Sequence, residues 1–199
     1  MQIRVGTTVT NAGPRSTPKS LPGSMPALGA PSLTRNITLE EVEDPITGEP
    51  VYGSLNGRKF DDARGVQEQP KLGSTEDWRL VNTTEDTHPI HLHLVQFQIV
   101  DRTPFDVAGY VAVRDAARAA DPNAANPDPR PFFTGPAQAP DPNERGWKDV
   151  VRTNPGQVTR IRAKWTLPSG VKAPQKYVFH CHILEHEDNS MMRPLEIVA

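Results

Sequence analysis

The sequence predicts an all-β sandwich or Greek-key barrel, and three observations carry that reading. Proline and glycine number 21 and 14 in 199 residues, and proline stands well above its average share of about 5%. Several segments alternate apolar and polar residues at period two, the signature of half-buried strands. Only one stretch, GYVAVRDAARAA within residues 105–120, has the alanine-rich, proline-free character of a helix. No internal repeat is visible.

The elements follow in order. Residues 11–34 carry five prolines among glycine and serine. They read as a Pro-rich N-terminal strap or linker, which divides the chain into a strap over 1–34 and a folded domain over 35–199. Ile37 and Leu39 open the alternation. Asn56-Gly57, between VYGSL and RKF, predicts a tight hairpin turn. Trp78, Leu80 and Val81 suggest a further strand. His91, His93, Val95, Phe97 and Ile99 share one parity and predict one face of a continuous strand.

Thr159, Ile161, Ala163, Trp165 and Leu167 form an apolar face, with Trp165 as core. Arg160, Arg162 and Lys164 alternate with them and read as a solvated face. Tyr177–Phe179 and Leu195–Val198 close the set. Residues 122–142 hold seven prolines and read as a long surface loop near the ligand. Phe132 and Phe133 within it are best explained by packing.

Composition excludes several partners. There are 22 basic and 24 acidic residues, a formal net charge of −2. No basic field exists to hold nucleic acid or an anionic membrane. No apolar run approaches the ~18 residues of a membrane span. MQIRVGTTVT has no apolar stretch of a secretory leader, so a cytoplasmic location is expected of a chain that starts there. A single cysteine excludes an internal disulfide.

All six histidines fall in two short windows. His88, His91 and His93 lie in THPIHLHLVQFQIV. His180, His182 and His186 surround the lone Cys181 in FHCHILEHEDNSMM. Such clustering calls for a metal. On a strand, His180 and His182 point one way and Cys181 the other, so two metal sites can share one segment. Thiolate, imidazole and a weak thioether are the ligands of a blue-copper site. Cys181, His186 and Met191 supply three of them, with Met192 one residue out of step. The missing imidazole has to come from the first window, and His88, set apart by Pro89, serves most simply. His91, His93, His180 and His182 are then left for other metal. Zinc also takes cysteine and histidine, but it rarely recruits a distant methionine.

The windows HPIHLHLVQF and HCHILEHEDNSMM resemble the two C-terminal copper motifs of multicopper oxidases, above all the spore-coat laccases and bilirubin oxidases of bacteria. The likeness extends through DRTPFDVAGY, FFTGPAQAPDPNERGWKDVV and MMRPLEIV, over residues 35–199. It implies a single cupredoxin-like domain and copper as cofactor. It implies His88, Cys181, His186 and Met191 at type 1 copper, His91 at type 2 copper, and His93, His180 and His182 at the type 3 pair. It further implies that phenolic or aromatic donors give electrons to type 1 copper and that O₂ is reduced at the trinuclear cluster. Glu187 matches an acidic residue that helps deliver protons there.

One departure matters. The family's trinuclear cluster uses eight histidines, and the two His-x-His motifs of its first domain are absent here. One chain offers four. Three resolutions are expected: a longer oxidase of which this is a part, a partner chain carrying the missing motifs, or a homo-oligomer. A two-fold dimer brings the pairs face to face; a trimeric ring does so less readily. Oxidase turnover requires one of these. The alternative is a blue-copper electron-transfer or copper-binding protein without turnover.

Overall fold

The computed structural model describes residues 26–47 and 50–199. Most of the expected strap, residues 1–25, lies outside them. In chain order the elements are β1 (Leu33–Glu43), β2 (Pro50–Leu55), β3 (Thr75–Asn82), β4 (His88–Leu92), β5 (Phe97–Pro104), α1 (Val107–Ala120), β6 (Val150–Thr153), β7 (Gln157–Lys164), β8 (Gln175–Cys181), α2 (Leu184–Asp188) and β9 (Met192–Ile197). Two sheets form, ordered β2-β1-β3-β7-β5 and β6-β4-β8-β9. β1 and β3 run parallel, and the remaining pairs are antiparallel. The all-β sandwich expected from the alternation is the fold observed.

The core lies between the sheets. Trp78 packs on Trp165 at 5.3 Å between ring centroids and meets Phe179 edge-on at 5.2 Å. All three are buried, and full burial of a large apolar side chain contributes roughly 1.5–3 kcal/mol. Cys181 and Met191 belong to the same core cluster.

Four expectations are corrected. The continuous strand over His91–Ile99 is two strands in different sheets. Leu94, at φ 79°, breaks it. Ile90 and Leu92 face the core before the break; Val95, Phe97 and Ile99 face it afterwards. The reversal of parity turns His91 and His93 away from the core. RKF does not form a strand. The chain turns at Asn56 (φ 60°) and Gly57 (φ 64°), and only Arg58 pairs back, to Leu55. Both central residues at positive φ make this the hairpin turn that Asn-Gly favours.

The basic face of β7 is not simply solvated. Arg162 Nε donates to Asp77 at 2.6 Å and Arg160 Nη1 to the same carboxylate at 3.2 Å, while Arg160 also pairs with Asp101. Asp77 is buried, so these guanidiniums neutralise a charge that water cannot reach. The proline-rich loop does not border the histidines either. With α1, capped by Asp106 accepting from Gly109 N–H at 3.1 Å, it covers the outer face of the five-stranded sheet. Val81, Phe105, Tyr110 and Val158 form a second small core there, with Phe132 and Phe133 against it. Val81 and Val158 are apolar at outward parity, and the loop supplies their cover. Among the described residues no helix is long and apolar enough to cross a membrane.

Candidate metal centres

The four-stranded sheet carries both histidine windows. β4 and β8 pair so that Ile90 faces Cys181 and His91 faces His180. Because side chains alternate, Cys181 enters the core while its histidine neighbours lie on the opposite face.

On the core side, His88, Cys181 and His186 converge, all buried. The Cys181 Sγ stands 3.6 Å from His88 Nδ1 and 3.8 Å from His186 Nδ1, and the two Nδ1 atoms are 3.3 Å apart. A triangle with these sides holds an ion about 2.1 Å from each corner, the range of metal–imidazole and metal–thiolate bonds. Burial, reinforced by the neighbouring His186, pushes His88 down to about 3, so its ring is neutral and offers a lone pair. Burial pushes the Cys181 thiol up to about 11, so an arriving cation displaces a proton. The Ile183 N–H points at Sγ from 3.5 Å. The donor set fits copper.

α2 and the turn after it deliver His186 and Met191. Ser190 adopts a positive φ of 77°, and the Met191 N–H donates to His186 O at 2.8 Å while Met191 O accepts from Cys181 N–H at 2.9 Å. Met191 is fully buried; Met192 is half-buried on β9 opposite His180. Gly53 of β2 backs Met191, and a Cβ there would lie 2.9 Å from its sulfur.

On the other side, ligand atoms of His91, His93 and His180 gather within 4.8 Å. His93 Nε2 and His180 Nε2 are 3.3 Å apart. His91 Nδ1 meets Asp149 O at 2.8 Å and His180 Nδ1 meets Cys181 O at 2.9 Å, which leaves both Nε2 atoms for a metal. His182 is exposed and outside that trio, with its ring 5.3 Å from His180 and 5.6 Å from His91. Glu187 Oε2 lies 3.5 Å from His180 Nδ1.

Sequence reading missed Glu41. Its Oε1 stands 3.5 Å from His88 Nε2 and 3.5 Å from His186 Nε2. Burial, then Asp86 and Glu43, pushes its carboxyl up to about 7. The available signal was a charge at inward parity, in step with buried Ile37 and Leu39. Beyond His186 opens a cavity of about 320 Å³, lined by Tyr52, Gly53, Asp86, Ile183, Glu185, His186 and Asn189.

The sequence profile of the multicopper oxidase family matches residues 30–198. The chain belongs to the multicopper oxidase family. It is 40% identical to a laccase of Bacillus subtilis over 199 residues, covering 99% of this chain and 34% of that protein. It is 42% identical to a laccase of Bacillus stratosphericus, covering 82% and 28%. Among solved structures, a laccase from Pediococcus acidilactici superimposes with a TM-score of 0.59 at 27% identity, over 89% of this chain and 30% of that one. The chain thus spans about a third of the length of these relatives. Copper is the cofactor of this multicopper oxidase domain, and the fold is the cupredoxin-like one of its structural neighbours.

Proposed function

We propose that this chain is the type 1 copper domain of a laccase-like oxidase, taking electrons from phenolic or aromatic donors and passing them toward O₂. The observation that carries this is one strand end. Cys181 lies in the buried trio with His88 and His186, while the adjacent His180 lies among His91 and His93 on the other face. Copper bound at the two groups supplies one-electron acceptance at the cysteine site and reduction of O₂ to water at the histidine site.

The chain's own residues then have assigned tasks. His88, Cys181, His186 and Met191 would hold type 1 copper. His91 serves type 2 copper; His93, His180 and His182 serve the type 3 pair. The cavity beside His186 receives the donor. Cys181 and its peptide link to His180 form the shortest covalent path between the sites. Glu187, whose Oε2 lies 3.5 Å from His180 Nδ1, would be the acidic group beside the oxygen site that supplies protons there.

Four more imidazoles complete the oxygen site. They come from the rest of a longer oxidase, from a partner chain, or from a second copy related by a two-fold axis. Oxygen uptake by the copper-loaded protein with a small aromatic donor tests the reading, with Cys181→Ser as control. Steady uptake lost in the variant supports it. A second reading, a blue-copper electron-transfer module, is favoured by the count of four imidazoles in one chain. It predicts a blue protein, monomeric by sedimentation, with no uptake.

A further inference from the structure

Burying a carboxylate is costly unless something answers its charge. The Glu41 side chain is 5% exposed, and its Oε1 is fully buried and has no hydrogen-bond partner among the described residues. Among the described residues, no lysine or arginine pairs with it. Its nearest polar neighbours are His88 Nε2 and His186 Nε2, each at 3.5 Å. Both rings are therefore held end to end, with Nδ1 toward Cys181 and Nε2 toward one oxygen atom.

Metal-bound histidines normally hand their second N–H to a carboxylate or carbonyl, which fixes the ring and raises its basicity. Here one oxygen faces two ligands at once. His88 has a further partner, Thr84 Oγ1 at 2.7 Å. His186 Nε2 has Glu41 as its nearest acidic contact, with Asp86 within 4.8 Å of the same group, so the effect falls mainly on the imidazole that borders the proposed donor cavity.

We propose that Glu41 is a positioning residue for type 1 copper: its Oε1 clamps His88 and His186 together and biases the site toward Cu(II). The inference rests on the copper reading of the trio. A carboxylate behind both imidazoles makes each a stronger donor and adds negative charge near the metal. Both effects favour the more highly charged oxidation state.

The test compares copper-loaded native protein with Glu41→Gln, Glu41→Asp and Glu43→Gln in a redox buffer, reading the blue absorbance. Glu41→Gln is expected to shift the Cu(II)/Cu(I) ratio at least tenfold toward Cu(I), 59 mV for a one-electron couple. Glu41→Asp is expected to recover most of the native ratio. Glu43→Gln, which removes an exposed charge two residues along, should shift it less than threefold. An unmoved ratio in blue Glu41→Gln, or an equal shift in Glu43→Gln, overturns the proposal. Should Glu41→Gln fail to fold, NMR of native Cu(I) protein decides: two exchange-protected imidazole Nε2–H protons, both shifted in Glu41→Asp, support it, and fewer overturn it. A native protein that binds copper without turning blue instead overturns the copper reading itself.

Discussion

His91 lies directly opposite His180 across the β4–β8 pair. This register brings the two windows together, because a slip of one residue would turn one histidine inward. His91 therefore gathers with His93 and His180, the group proposed as the oxygen site, and not with the buried trio. His91→Ala is expected to leave the blue absorbance unchanged while abolishing oxygen uptake by the complete, copper-loaded assembly. Recording both on the same sample checks it.

Gly53 and Met191 are in contact tight enough to exclude a side chain. A Cβ at Gly53 would meet Met191 Cβ and Sδ at 2.9 Å. Gly53→Ala is expected to displace Met191, change the visible spectrum of the copper-loaded protein, and cost about 1–3 kcal/mol in denaturant unfolding through overpacking.

Arg102 and Glu144 form a buried two-pronged pair, at 2.7 and 3.0 Å. Burial alone would raise the Glu144 carboxyl, but hydrogen bonds from Arg102 and Arg152 outweigh it and hold the group below the usual carboxylate range. A carboxyl lowered in the folded state stabilises above its unfolded pKa and loses that contribution as pH falls through the folded value. Glu144→Gln is expected to cost ~3–5 kcal/mol at neutral pH. Paired urea titrations should show the gap to native narrowing in acid.

The cavity beside His186 carries Asp86 and Glu185 and, among its described lining residues, no lysine or arginine. Cationic aromatic donors are expected to be used with higher kcat/KM than anionic ones of similar potential, and added salt should narrow the difference. Asp86→Asn with Glu185→Gln should reduce the preference several-fold, measured with a matched donor pair.

The candidate metal ligands were legible because their residue types and spacing are distinctive. Six histidines in two windows, around one cysteine with a methionine ten residues on, leave few alternatives, and strand alternation sorts them onto two faces. Glu41 was not legible to the same degree. It reaches the site from β1, in the other sheet, and only the packing of the two sheets reveals which inward-parity charge meets which ligand. The break at Leu94 was hidden because a leucine gives no sign of a positive φ. The proline-rich loop was placed wrongly for a related reason. Its destination is set by Val81 and Val158, whose outward parity asks for cover on the sheet without histidines.

The single-strand arrangement around Cys181 divides the molecule's chemistry in space. The buried trio and the open imidazole cluster lie on opposite sides of one β-layer, so the partition between the proposed donor and oxygen sites is a single thickness of backbone. A radical left behind by a donor and an oxygen molecule awaiting electrons would never share a chamber. On that reading only charge would cross, over one residue, and core substitutions elsewhere would alter the rigidity of the wall without lengthening the crossing.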